Sequence, residues 1–161
     1  MSRDSFQCQK CAKCCRNLFE KRGAILGGLP LTDREAILFP KDLVLPKISL
    51  GTTKPEHTII YQLNVNSCPH LNNEQTCRIY PRRPLMCKAF PIVGEAISNK
   101  CTIFSYRKPG LVFDEPFSMD EQLAASIQFE EYLKMQLKKH GQKGFKLWEY
   151  DLDTKKWFLI T

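Results

Sequence analysis

The sequence lacks long hydrophobic runs: no stretch approaches the roughly 18 apolar residues that cross a bilayer as a helix. Its first residues, Met1 to Phe6, contain no apolar signal-peptide core. Phosphate-binding signatures are also missing. Gly27-Gly28 is too short for a phosphate loop, and neither a GxGxxG nor a Walker pattern occurs. There is no convincing Ser-His-Asp or Cys-His set. The carboxylate pairs Asp114-Glu115 and Glu130-Glu131 are adjacent in sequence, so on regular structure their side chains diverge and read as solvated surface groups. These absences argue against a membrane partner and leave no complete catalytic machine.

Cysteine is abundant instead. Cys8, Cys11, Cys14 and Cys15 fall within eight residues, and Cys68, Cys77, Cys87 and Cys101 answer them later in the chain. A C-x-x-C step lets two sulfurs converge from a tight turn, and a second step sharing the middle cysteine adds a third. That spacing holds zinc or an iron–sulfur cluster. Cys15 follows Cys14 directly, so it either completes the site through a distorted turn or serves a second one. Pro81 and Pro84 stiffen the path between Cys77 and Cys87, which lowers the entropy lost on gathering ligands. Eight cysteines without an export signal predict a reducing, cytoplasmic setting and metal thiolates rather than a disulfide framework. All eight are candidate metal ligands. His70, two residues after Cys68, is a further candidate that eight sulfurs make unnecessary. His57 and His140 have no motif around them and read as surface or packing residues.

In order and spacing these residues resemble the cysteine-cluster family marked by C-x-x-C-x-x-C-C. Its second half typically reads C-x-I-Y-x-x-R-P-x-x-C-x-x-F-P, and here Cys77-Arg-Ile79-Tyr80, Arg83-Pro84, Cys87 and Phe90-Pro91 match it. The resemblance spans roughly residues 8–101 and implies a zinc- or iron-chelating domain, without implying a reaction. Flagellin lysine N-methylases carry a similar cluster and use S-adenosylmethionine, so an enzyme or enzyme accessory of that kind is one alternative. No recognisable S-adenosylmethionine site lies outside the shared cysteines, and C-x-x-C-x-x-C differs from the C-x-x-x-C-x-x-C of radical S-adenosylmethionine enzymes. A zinc-stabilised RNA- or protein-binding module is the other alternative. Sulfur-only ligation suits zinc and an iron–sulfur cluster equally.

The formal net charge is +7. Two four-thiolate centres would reduce it to about +3. Lys10, Lys13, Arg16, Arg78, Arg82, Arg83, Lys88 and Lys100 crowd the cysteines. They either offset thiolate charge or form a nucleic-acid footprint, so net charge alone establishes no nucleic-acid partner.

At 161 residues and 43% hydrophobic, the chain is long enough to bury a core without relying on metal alone. The expected class is α+β: a small metal-stabilised domain over residues 1–115, with a C-terminal helix and β-hairpin over 116–161 packed on it. Thr32 and Glu35 form a capping-box pattern for a short helix stopped by Pro40. Residues 41–56, with Pro46, Gly51 and Pro55, read as a connecting loop. A strand from His57 to Val65 is expected to deliver Cys68, and Thr76 to Tyr80 a returning strand after an Asn72-Asn73-Glu74 turn. Pro84 introduces a turn of helix carrying Cys87, and Phe90 to Ile97 reads as a short strand. Ser118 and Glu121 form a second capping-box pattern. Ala125, Phe129, Tyr132, Leu133 and Leu137 then recur at helical spacing up to Gly141. Phe145 to Ile160 reads as a hairpin turning at Leu152 to Lys155, with Trp148, Tyr150, Trp157 and Phe158 as cross-strand aromatics.

Overall fold

A computed structural model describes residues 4–94, 96–101 and 118–160. The Asp114-Glu115 pair and the expected boundary between 115 and 116 lie outside the described residues. The fold is α+β, with short helices and strands, a long C-terminal helix and a terminal strand pair. Two compact units emerge, each built from separate stretches of chain. Unit 1 takes Met1–Arg16 and Cys68–Phe129; unit 2 takes Asn17–Ser67 and Glu130–Thr161.

In unit 1, α1 (Lys13–Arg16) carries Cys14 and Cys15, and α3 (Leu85–Ala89) carries Cys87. Proline supports α3 because its missing N–H and fixed φ suit a helix start, and Pro84 sits there as the N-cap. The apolar Phe90 to Ile97 stretch folds back on itself as β6 (Ile92–Val93) and β7 (Ala96–Ile97). Gly94, at φ +64°, supplies the left-handed turn residue. Ile92 and Ile97 pack with Met119 into a small core, against which Phe6, Cys101 and Leu123 rest. The strand expected at Thr76 to Tyr80 does not form. A single bridge pairs Leu71 with Cys77, and Tyr80–Arg82 turns into 3-10 helix. Asn72 explains the change: its carboxamide oxygen accepts from the Glu74 and Thr76 N–H groups, and its nitrogen donates to the Thr76 hydroxyl at 2.6 Å. Those side-chain bonds take the backbone donors that a ladder would use.

Unit 2 is organised on a five-stranded antiparallel sheet in the order β3 (Pro30–Leu31), β5 (His57–Leu63), β4 (Val44–Gly51), β8 (Lys146–Asp151), β9 (Lys156–Leu159). The expected loop over 41–56 is therefore largely strand. Pro46 is accommodated because the β4–β5 register shifts immediately after it, where a missing ladder donor is tolerated. The C-terminal hairpin joins the sheet through β8 on β4, and Tyr150 meets Trp157 edge-on at 5.2 Å. Helix α2 (Asp33–Ala36) has the full capping box, with Thr32 accepting from the Glu35 N–H and Glu35 accepting from the Thr32 N–H. Helix α4 (Asp120–His140) ends where Gly141 donates to the Leu137 carbonyl. Its start differs from the Ser118–Glu121 expectation: it begins at Asp120, and the Ser118 hydroxyl donates to the Asp120 carboxylate at 2.8 Å. Among the described residues no helix is long and apolar enough to cross a membrane.

One face of the sheet buries polar side chains. Lys47, Gln62, Glu149 and Asp151 are each at least nine-tenths buried. Asp151 and Gln62 hold down the hairpin of β1 (Glu20–Arg22) and β2 (Ile25–Gly27) through its backbone rather than through strand pairing. The Leu26 N–H donates to Asp151 at 2.7 Å and the Gly28 N–H to Gln62 at 2.9 Å. Gly28 lies so close to the Leu63 carbonyl that a Cβ would overlap it.

Hydrogen bonds from Thr154, then from the Leu26 and Asp153 amides, hold the Asp151 carboxyl down to about 2, from an ordinary value near 3.8. A carboxyl depressed in the folded state adds stability above its unfolded value, and that stability disappears as pH falls through the folded one. Urea midpoints should therefore drop between about pH 4 and pH 2, and Asp151→Asn should flatten that slope. Equal slopes for variant and parent would contradict the assignment.

Candidate metal centre

All eight cysteines belong to unit 1, and none of them forms a disulfide. The first cluster turns sharply because Lys10 (φ 53°) and Ala12 (φ 59°) both adopt left-handed backbone, a conformation costly outside glycine. Ala12 is 5% exposed and so anchored, and the Lys10 N–H points at the Cys8 sulfur at 3.4 Å. The reversal returns the chain into α1, where the Arg16 N–H bonds the Ala12 carbonyl at 3.0 Å.

The two halves of the cysteine pattern meet at the backbone. The Cys68 N–H donates to the Cys15 carbonyl at 2.7 Å, and the Leu71 N–H returns to Cys68 at 3.1 Å. The Leu71–Cys77 bridge then brings Cys77 back toward Cys68, as expected from the turn between them.

The thiols act on one another electrostatically. Cys14 and Cys15 share a hydrogen bond, which lowers the Cys14 thiol to about 7 against the opposing effect of burial; the Arg83 guanidinium adds a smaller downward pull. The same bond raises Cys15, and burial adds to it, followed by the charges of Cys14, Cys87 and Cys68. Burial raises Cys68, and Cys77 and Cys14 push it further. A group of five thus emerges: Cys14, Cys15, Cys68, Cys77 and Cys87. Cys8 is exposed on the first loop with Cys11 half-buried beside it, while Cys101 rests on the Ile92–Ile97–Met119 core. Among the described residues no three His, Cys, Asp or Glu side chains already stand at metal-holding distances. The donor chemistry is nevertheless the one that soft and borderline metals select. Thiols that feel one another's charge gain most from a shared cation, which favours their deprotonated forms.

His57 and His140 stack on each other, centroids 3.8 Å apart, in a polar cleft of about 380 Å³ in unit 2. That pairing had no signal in the sequence because 83 residues separate the partners. Arg83 was visible only as one cation among many, and its position beside Cys14 depends on the fold.

A family model described as "Putative zinc- or iron-chelating domain", named CxxCxxCC, matches residues 7–138. The chain belongs to this family. No curated protein and no solved structure matches it significantly. The family match covers both cysteine clusters and supports metal binding.

Proposed function

We propose that unit 1 is a metal-binding module in which Cys14, Cys15, Cys68, Cys77 and Cys87 supply the principal sulfur ligands. Cys8, Cys11 and Cys101 complete the donor set. The observation carrying this reading is the 2.7 Å bond from the Cys68 N–H to the Cys15 carbonyl, which joins the two halves of the pattern where their thiols interact. Arg83 offsets the negative charge that thiolates accumulate. A site closed by four sulfurs is structural with zinc, whereas an iron–sulfur cluster supplies one-electron chemistry. A thiol set held for metal suits a reducing, cytoplasmic compartment.

Metal and acid-labile sulfide content of anaerobically purified protein, read with a visible spectrum, tests this function. Iron with sulfide and a broad band near roughly 400 nm assigns an iron–sulfur cluster. Zinc without sulfide assigns a structural centre. Protein that takes up neither metal on reconstitution would contradict the proposal.

A further inference from the structure

Unit 1 has a surface feature that metal ligation leaves unused. Between Cys77 and Pro84 the chain makes a braced turn: Ile79 is buried beneath it, the Arg82 N–H bonds the Ile79 carbonyl at 2.7 Å, and Pro81 stiffens the 3-10 segment. Tyr80 projects from this turn and remains 47% exposed. The Arg83 guanidinium lies over its ring, 3.9 Å from the centroid, and is fixed there by a 2.9 Å bond to the Tyr80 carbonyl. A large aromatic held rigidly in solvent with a cation on one face is predisposed to stack on its other face, because the cation draws electron density from the ring.

Within the turn itself, residues 78–83, the charge is of one sign. Arg78 and Arg82 flank Tyr80, both exposed, and among the described residues neither pairs with a carboxylate. Between Lys10 and Lys100, Glu74 is the one carboxylate among the described residues of unit 1. Arg83 is the cation that acts on the Cys14 thiol.

We propose that the Arg78–Arg83 turn docks single-stranded nucleic acid, with a base stacked on Tyr80 and neighbouring phosphates on Arg78 and Arg82. Charge alone would attract any polyanion. The exposed ring selects one whose flat apolar groups are accessible, which favours a single strand over a duplex or an acidic peptide. The surface stands whichever metal the thiols hold.

The test is fluorescence anisotropy on the full-length protein as purified, with labelled oligouridylate and oligothymidylate of roughly 12 nucleotides at about 0.15 M salt. Binding is expected, and Tyr80→Ala should weaken it by roughly 5- to 100-fold. Arg78→Gln/Arg82→Gln should reduce the slope of log affinity against log salt by about 1.4. Two results would each overturn the proposal. One is a Tyr80→Ala variant that binds the strands like the parent; the other is a polyglutamate that displaces them at equal charge concentration, which would assign an acidic protein partner. Metal content, measured on every sample, separates this surface from the metal site. Lost binding at unchanged metal content supports a docking role for Tyr80. Binding lost only together with metal would reduce the residue to a structural part of unit 1 and overturn the proposal.

Discussion

Cys77→Ser is expected to strip the metal and lower the melting temperature together. Serine nearly matches cysteine in size, so the Leu71–Cys77 bridge and the Asn72 hydrogen bonds of this turn should survive the change. What disappears is a thiolate: a serine hydroxyl stays protonated at neutral pH and is a poor ligand for borderline or soft metals. Altering groups that merely orient ligands costs 10- to 100-fold in affinity, so losing a ligand should cost at least about a hundredfold. Such a change amounts to about 2.7 kcal/mol of stabilisation by bound metal. Because metal-binding free energy is also folding free energy, a chain of this size should melt about 5–11 °C lower. Chelator should lower the parent's melting temperature by at least as much and leave the variant nearly unchanged. A variant with full metal content and an unshifted transition would remove Cys77 from the site.

Lys47→Met should destabilise unit 2 by about 3–5 kcal/mol. Lys47 Nζ lies 3.5 Å from Glu149 Oε1, with the side chains only 9% and 7% exposed. The geometry is poor, since Glu149 Oε1 has no hydrogen-bond partner. Burial lowers the lysine's proton affinity more than Glu149 raises it. An ion pair of this kind contributes little over an apolar pair, yet losing one partner leaves a buried, uncompensated charge. The double variant Lys47→Met/Glu149→Leu should therefore recover most of the loss. Urea unfolding of both single variants and the double variant closes the cycle. Single variants within about 1 kcal/mol of the parent would show the pair to be hydrated.

What the sequence reveals here is chiefly local or repeated. The Thr32–Glu35 box could be read because its four residues complete their own hydrogen bonds. The terminal hairpin was legible from alternation, and the cysteine pattern from spacing. Features that depend on distant partners were not. Strand β4 contains Pro46 and buries Lys47, two residues that argue against a central strand; only β5, β8 and the register shift make room for them. Gln62 and Asp151 look like surface residues until the β1–β2 segment bonds to them. In the first cluster the spacing singled out candidate ligands but not the turn, since neither Lys10 nor Ala12 advertises left-handed backbone. The bond from the Cys68 N–H to the Cys15 carbonyl likewise follows from folding, and it joins the two halves of the cysteine pattern.

The most direct measurement is thiol alkylation of native protein, mapped by mass spectrometry with metal bound and after removal by chelator. Cys14, Cys15, Cys68, Cys77 and Cys87 are only half-buried, so burial alone should not shield them from a small reagent. These five should resist alkylation in the metal-bound protein and react together once the metal is gone. Equal reactivity in both states would contradict the claim that this thiol group holds the metal.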